Sequence, residues 1–390
     1  MGGLIGHYIL SQWGAGLILG TSLLKSPPEV VILCPKLDPG LAKEPITYPE
    51  NVRIAATYDI QRPASILKMI LFLKDWDGDC ILFSMNSTSF GSTSLSNLSG
   101  LALPFLTKFV LRKRVIVVYH SSVLTSDYLK LGYHSLPDRV RASALSVIEG
   151  LLFRYLPTYV LLKYYKKRID SVITRSNVRV FENEFLEAIP TIWLNRMQSD
   201  LTPSSQSKDV IRVPSLLLHG YWGPQKDLNG VLGILRRLRE EGFGFHLTIS
   251  GSINPHFPEY TATFNAIIKS NASVVSTLRL SIPEDQIVSL MLESDLLILP
   301  YNASGGQSGV MEIGSCFDLP ILVSDFPEYR EKAAQKPTVT VYPDGMMEAA
   351  LRQFLKDFQP HLPRQVKIQE KLDRVRTYVQ TLVDEAGTLE

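Results

Sequence analysis

Apolar positions in the second half of the chain switch between two periods. Leu216 to His219 is a short apolar run, read as a strand, and a loop from Gly220 to Lys226 follows it. Leu228, Val231, Leu232, Leu235 and Leu238 then recur at helical spacing until Gly242 stops them. Phe243, Phe245, Leu247 and Ile249 alternate like a half-buried strand that ends at Gly251. Pro283-Glu284-Asp285 has the form of a helix start, with proline first and acids in the first turn; Ile287, Leu290 and Met291 continue it. Leu296 to Leu299 and Pro320 to Val323 read as two more strands. Strand and helix alternating at this rhythm predict a parallel α/β sheet.

The first half repeats the pattern less cleanly. Strands are expected at Ile5–Leu10, Val30–Cys34, Cys80–Phe83, Val115–Tyr119 and Ser171–Thr174. Gln198 to Asp209 is polar and turn-rich, as a linker would be, and Gln365 to Leu382 is mixed-charge and periodic, as a surface helix would be. The expected architecture is two doubly wound, Rossmann-like α/β domains facing each other across a cleft. They cover residues 1–205 and 206–360, and residues 361–390 form a C-terminal helix packing back on the first domain. Ligands of such sheets bind outside the carboxyl ends of the strands, so the cleft is the expected site.

The richest chemistry lies between Asp295 and Asp325, which reads strand, loop, helix, turn, strand. The loop carries Ser304-Gly305-Gly306-Gln307-Ser308-Gly309. Glycines ahead of a helix let backbone amides approach a ligand, and the unpaired amides of the helix start favour an anion such as a diphosphate. Glu312 sits on the first turns of that helix, where a carboxylate can accept hydrogen bonds from vicinal hydroxyls such as those of a ribose. Lys226 can add a point charge to the phosphates. The same spacing also suits a plain turn, and both charged residues also suit solvated positions.

Composition narrows the partners. The chain has 390 residues, enough for two or three domains. Its 40 Lys+Arg nearly balance 38 Asp+Glu, which argues against nucleic acid as the main partner. Hydrophobic residues at 45% against 20% charged exclude disorder for most of the chain. Cys34, Cys80 and Cys316 are too few and too widely spaced for a disulfide framework or a zinc site, and fit a reduced, cytoplasmic setting. No secretory signal and no membrane span are expected.

The run DLLILPYNASGGQSGVMEIGSCFDLPILVSD resembles the nucleotide-binding signature of glycosyltransferase family 4, of GT-B fold. There an E-x7-E motif bridges a glycine loop and a helix, and its second Glu, matched by Glu312, binds the nucleotide ribose. LLLHGYWGPQKDLNGVL is similar to the family's strand–glycine–loop–lysine segment, with Lys226 at the lysine that holds the donor diphosphate. The resemblance covers about Leu216 to Glu331 and is only topological elsewhere. It implies a hexosyltransferase that uses a nucleotide sugar as co-substrate, with retention of configuration and neither a metal nor another cofactor. It implies donor contacts from Tyr221, Ser304, Gly305, Gly306, Gln307, Ser308, Gly309, Val310 and Glu312. Two positions depart from the family. Ser304 stands where the first Glu of the motif falls, and Tyr221 where an Arg is usual. These departures motivate the alternative of a nucleotide-sugar-binding protein impaired in catalysis.

In the first half, Gly14-Ala15-Gly16 follows the first expected strand, as a tight turn or as a donor loop. His120 ends the strand Val115–Tyr119 on the expected cleft side. A lone histidine there is structural or, by the resemblance, a donor-sugar contact. It completes an expected catalytic set of His120, Lys226 and Glu312. Leu145 to Leu162 is very apolar and is followed by Lys163, Lys166, Lys167 and Arg168; Lys108, Arg112, Lys113 and Arg114 form a second basic cluster. This pattern fits a buried helix with a basic end, or a peripheral contact with a membrane surface. In the second case the acceptor would be a polyprenyl-linked glycan; otherwise it would be a free glycan.

Overall fold

The computed structural model describes residues 24–25, 29–35, 50–58, 65–78, 80–85, 94–119, 136–160, 162–180, 213–254, 257–282, 284–303, 308–359, 376–377, 379–380 and 383–384. In the N-terminal half these form β1 (Val30–Pro35), β2 (Val52–Tyr58), α1 (Ile66–Asp75), β3 (Ile81–Met85) and α2 (Ser94–Phe105). A π-helical turn, Leu106–Val110, extends α2. Next come β4 (Val115–Tyr119), α3 (Leu136–Tyr155), β5 (Thr158–Val160), α4 (Lys163–Val172) and β6 (Val178–Val180). Strands β3-β4-β5-β6 form one parallel sheet, and β1 pairs with β2 in a separate parallel ribbon.

Two expectations for this half need correction. Ser171–Thr174 is not a strand: its first two residues end α4, and the strand begins at Val178. Helix wins because Tyr165 and Ile169, one turn apart, bury together while the surrounding lysines face water. The apolar stretch Leu145 to Leu162 is not one element either. It is the end of α3, a break at Leu156-Pro157, and β5. Its one acid, Glu149, turns inward and accepts a 2.6 Å hydrogen bond from the Tyr119 hydroxyl.

The C-terminal half begins with β7 (Ser215–Leu218), β8 (Tyr221–Trp222), α5 (Leu228–Glu240) and β9 (His246–Ile253). It continues with α6 (Tyr260–Ser270), β10 (Thr277–Leu280), α7 (Glu284–Glu293) and β11 (Leu296–Leu299). It closes with α8 (Gly309–Cys316), β12 (Ile321–Ser324), α9 (Pro327–Ala333), β13 (Val339–Tyr342) and α10 (Met347–Asp357). The strands lie parallel in the order β10-β9-β7-β11-β12-β13, and β8 also pairs β9. The central strands read as unbroken apolar runs because both faces are covered. Leu216, Leu218 and Ile298 face one core, and Leu217, Leu297 and Leu299 the other. The predicted helix is α5, whose five periodic aliphatics are all buried, each worth about 1.5–3 kcal/mol relative to exposure.

The second core joins the two halves. Leu297, Leu299 and Met311 cluster there with Ile116, Val118 and Tyr159 of the N-terminal half and with Val379 near the C-terminus. Beside it, Glu331 on α9 accepts hydrogen bonds of 2.8 and 2.9 Å from the Lys163 and Tyr164 amides that open α4. Those amides have no intrahelical partner, so a carboxylate from across the molecule caps the helix.

One contact in the C-terminal sheet admits no side chain. Gly220 and Gly251 have φ of +121° and +113°, and a Cβ on Gly251 would fall 2.0 Å from the Gly220 carbonyl oxygen. The clash is with backbone, so no rotamer change relieves it. Gly251→Ala is expected to destabilise the protein by about 3 kcal/mol or more, read as a drop in urea midpoint at constant slope.

Candidate functional site

Numbered from the first strand of its own half, the C-terminal sheet runs 3-2-1-4-5-6. Strand order reverses between β7 and β11, and the two loops that leave their carboxyl ends diverge to opposite sides. Topology therefore places the ligand crevice at these two loops before any side chain is considered. One loop runs from His219 to Asp227; the other starts at Pro300 and ends in α8. Backbone hydrogen bonds fasten them together: Asp227 N–H to Pro300 O at 2.7 Å and Asn302 N–H to Gln225 O at 2.9 Å. An isolated bridge pairs Lys226 with Tyr301. Asp227 then caps α5, accepting from the Gly230 amide at 2.9 Å.

This fastening buries Lys226. Its side chain turns back so that Nζ donates 3.0 Å to the carbonyl of His219. The ammonium lies 4.9 Å from the Trp222 ring centre and 5.4 Å from that of Tyr301. Among the described residues it has no carboxylate partner. Burial in this aromatic box lowers its pKa from 10.5 to about 7. Burial, together with the Lys226 charge, holds the neighbouring His219 imidazole at about 3 and therefore neutral. Its Nδ1 makes no hydrogen bond. Lys226 is thus a cation set in place without its counter-ion.

The N-terminus of α8 meets the same point. A Cβ on Gly220 would lie 2.6 Å from Lys226 Nζ and 2.9 Å from Val310 Cγ2, so glycine there lets the β7 loop, the lysine and the helix start converge. Ser308 is the N-cap of α8, and its Oγ accepts from the Met311 amide at 3.1 Å. The Tyr301 hydroxyl lies 2.7 Å from the same Oγ, and burial raises that phenol to about 12. Ser308 is therefore occupied as a cap. The Gly309 and Val310 amides open the helix and have no acceptor within it, and the Val310 side chain comes to the same point as Lys226 Nζ. Two amides, the helix dipole and one ammonium make an anion cradle.

Glu312 lies two residues beyond Val310 and its carboxylate meets α9. Its Oε1 stands 3.1 Å from Lys332 Nζ and its Oε2 accepts 3.0 Å from Lys336 Nζ. All three side chains are buried, with Glu312 at 3% exposure. Burial lowers the Lys332 pKa, and the charge of Lys336 lowers it further, while Glu312 opposes both. Neither lysine stood out in the sequence, where PEYREKAAQK reads as a solvated helix end. Their one signal is the four-residue spacing that puts both on one face.

The structure brings Lys226 and the Gly309–Val310 start of α8 together at Gly220, and pairs Glu312 of the same helix with Lys332 and Lys336. Tyr221 is half-buried in β8, where it pairs with Ser252. Gly14, Gly16, His120 and Ser304 to Gln307 lie outside the described residues. His219, Trp222 and Tyr301, which line the lysine's pocket, were not singled out in the sequence. A buried strand-end histidine and two aromatics look like ordinary core until the loops fold over them.

No protein-family model matches the chain, and no curated protein sequence matches it significantly. Solved structures do. The sucrose-phosphate synthase of Thermosynechococcus elongatus superposes with a TM-score of 0.59 at 13% identity, over 93% of this chain and 87% of that one. HepE of Anabaena, solved in complex with UDP, gives 0.56 at 12% identity over 96% of each chain. A Listeria monocytogenes protein assigned as a UDP-N-acetylglucosamine 2-epimerase gives 0.53 at 13% identity, over 95% of this chain and 90% of that one. The likeness shows the fold: parallel α/β with two Rossmann-like domains in the GT-B arrangement. Function must be argued from the site.

Proposed function

We propose that the protein is a glycosyltransferase, resembling family 4, that moves a hexose from a nucleotide sugar to a hydroxyl of a glycan or lipid-linked acceptor. The observation that carries this reading is the buried Lys226 ammonium, without a carboxylate partner among the described residues, beside the start of α8. A diphosphate fits there by charge and by hydrogen bonding. The acceptor hydroxyl attacks the anomeric carbon as the bond to the diphosphate oxygen breaks, and the hydroxyl proton passes to the departing oxygen. Negative charge grows on that leaving group, where the amides and Lys226 are already in place. Removing one such donor typically costs about 10²–10³ in rate. In this reading the ribose lies toward Glu312, His120 contacts the donor sugar from the N-terminal domain, and configuration is retained.

The outer face of α3 supports a lipid-linked acceptor at a membrane surface. Leu136, Val140, Val147, Leu151 and Tyr155 are exposed along it, with Arg139 and Arg154 beside them. An apolar stripe flanked by arginines suits an anionic interface. No helix among the described residues is long and apolar enough to cross a membrane.

Incubating the purified protein with a panel of nucleotide sugars, with and without acceptors, tests the reading. Nucleotide release, slow alone and faster with an acceptor, is the expected result. Binding without turnover against the full acceptor panel would favour the binding-protein alternative, which Tyr221 in place of a cation supports. No binding of any nucleotide sugar would overturn both.

A further inference from the structure

The helices of the N-terminal half leave apolar surface in water, and those of the C-terminal half do not. α1, α2, α3 and α4 cover one face of the sheet β3-β4-β5-β6. Leu73 of α1, Leu101 of α2, Phe153 of α3 and Ile169 of α4 share one core with Val115 and Val117 of β4. Within this layer α2 packs between α1 and α3. Its outward side carries Leu71 on α1 and Phe109 and Val110 on the π-helical turn. On α3 it carries Leu136, Val140, Val147, Leu151 and Tyr155, and all eight residues are between 46% and 74% exposed. In the C-terminal half the exposed large apolar residues, among the described ones, are Val213, Leu278, Leu280 and Met346, and none lies within a helix. Single exposed apolar residues are ordinary, whereas a run of them along one face marks a docking surface.

The five α3 residues fall within about 100° of the helix circumference, nearly opposite the buried Leu145, Leu152 and Phe153. Over the 20 residues of α3 the stripe is about 30 Å long. Its surroundings are cationic. Among the described side chains of residues 65–155, Lys68, Lys74, Arg112, Arg114, Arg139 and Arg154 are exposed, against the exposed acids Asp75 and Asp77. α2 and the π-helical turn contain no acid. Of the two acids in α3, Glu149 bonds Tyr119 inside the core, and Asp138 is set about 200° around the helix from Leu136.

Charge selects the occupant. A second copy of the chain docked here by twofold symmetry would set these cations against their own counterparts. An anionic bilayer meets the apolar stripe with acyl chains and the cations with phosphates. We infer that the outer surface of α1, α2 and α3 is a docking face for an anionic phospholipid bilayer, with α3 lying in the interface plane and Phe109 and Val110 entering from the π-helical turn. β4 and β5 are parallel, so α3 runs back from the carboxyl edge of the sheet, where Leu136 stands, to the amino edge. Docked this way, the ligand-binding edge of the sheet comes down to the lipid surface, and a lipid-carried acceptor reaches it without leaving the bilayer. The acceptor's route rests on the glycosyltransferase reading above; the docking face does not.

Flotation of the full chain with vesicles tests the face without reference to the donor site. Wild type should float with vesicles of phosphatidylglycerol and phosphatidylcholine in equal parts, and scarcely with phosphatidylcholine alone. High salt should weaken the binding by screening the exposed charges. Val147→Glu/Leu151→Glu should lower affinity for the mixed vesicles by about tenfold or more, because it removes apolar insertion and adds repulsion. Arg139→Gln/Arg154→Gln should lower it by about 10- to 30-fold and flatten the salt dependence. All four positions are exposed, so both variants should fold, which thermal melts verify. Wild type that does not bind the mixed vesicles overturns the inference, and so does a folded Val147→Glu/Leu151→Glu variant that binds like wild type. A wild-type dimer in sedimentation that the same variant turns into a monomer, with no vesicle binding, assigns the face to a second copy and overturns it too. None of these results involves a nucleotide sugar, so vesicle binding can fail while the donor reading stands, and the reverse.

Discussion

Lys226→Met should make the empty protein more stable and its donor binding much weaker. In the native state this ammonium carries a lowered pKa, about 7 against the usual 10.5, because it is buried without a counter-ion among the described residues. That depression corresponds to a cost of about 5 kcal/mol to keep the charge inside. Methionine fills the aromatic box without that cost, and comparable replacements of buried ions gain about 1–4 kcal/mol. The loss of the hydrogen bond to the His219 carbonyl offsets part of the gain. The sign with pH follows from linkage. Between about 7 and 10.5 the unfolded lysine holds its proton while the folded one releases it, so wild-type stability from this group rises with pH. The gap between variant and wild type should therefore be widest at or below pH 7 and close toward pH 10. Chemical denaturation at three pH values measures this, and a constant gap would show that Lys226 is not the uncompensated charge described here. Diphosphate affinity should move the opposite way. In wild type it should fall by up to about tenfold per pH unit above 7, as the lysine must first take up a proton. The variant should lose both that pH slope and most of the affinity, and its transfer rate should fall by about 10²–10³.

Glu312→Leu is expected to be among the most damaging single substitutions in the C-terminal half. It removes the carboxylate that both Lys332 and Lys336 contact, from among buried groups. Breaking a buried ion cluster by removing one partner costs about 3–5 kcal/mol. The damage comes from buried lysines that have lost this carboxylate rather than from the missing acid, so it should be repairable. Glu312→Leu/Lys332→Met/Lys336→Met should return to wild-type stability or exceed it, while nucleotide binding stays impaired. Thermal melts of the single and triple variants decide this, and a triple variant as unstable as the single one would contradict the account. The contrast with Lys226 is instructive. One lysine is buried without a carboxylate partner among the described residues and weakens the fold until an anion arrives. The other two are buried with a partner and depend on it.

The strands at Val115–Tyr119 and Leu296–Leu299 and the helix from Leu228 were legible in the sequence, because each buries a face or a whole run and its period records this. Their order also carried the doubly wound parallel class, and Lys226 and Glu312 stood out through motif spacing. The error at Ser171–Thr174 arose where apolar residues are few and strand and helix periods cannot be told apart over four positions. What no reading of the chain supplied was proximity. Lys332 and Lys336 lie 20 and 24 residues beyond Glu312, on the next helix and the turn after it, and only the packing of α9 against α8 makes them its partners. Likewise the reversal of strand order between β7 and β11 decides that the lysine loop and the start of α8 share one crevice. Local periodicity reports which residues leave water, and so the sequence determined the elements and their class. Burial without a counter-ion, and a carboxylate shared by two cations, are relations between distant segments that come into existence only when the sheet closes.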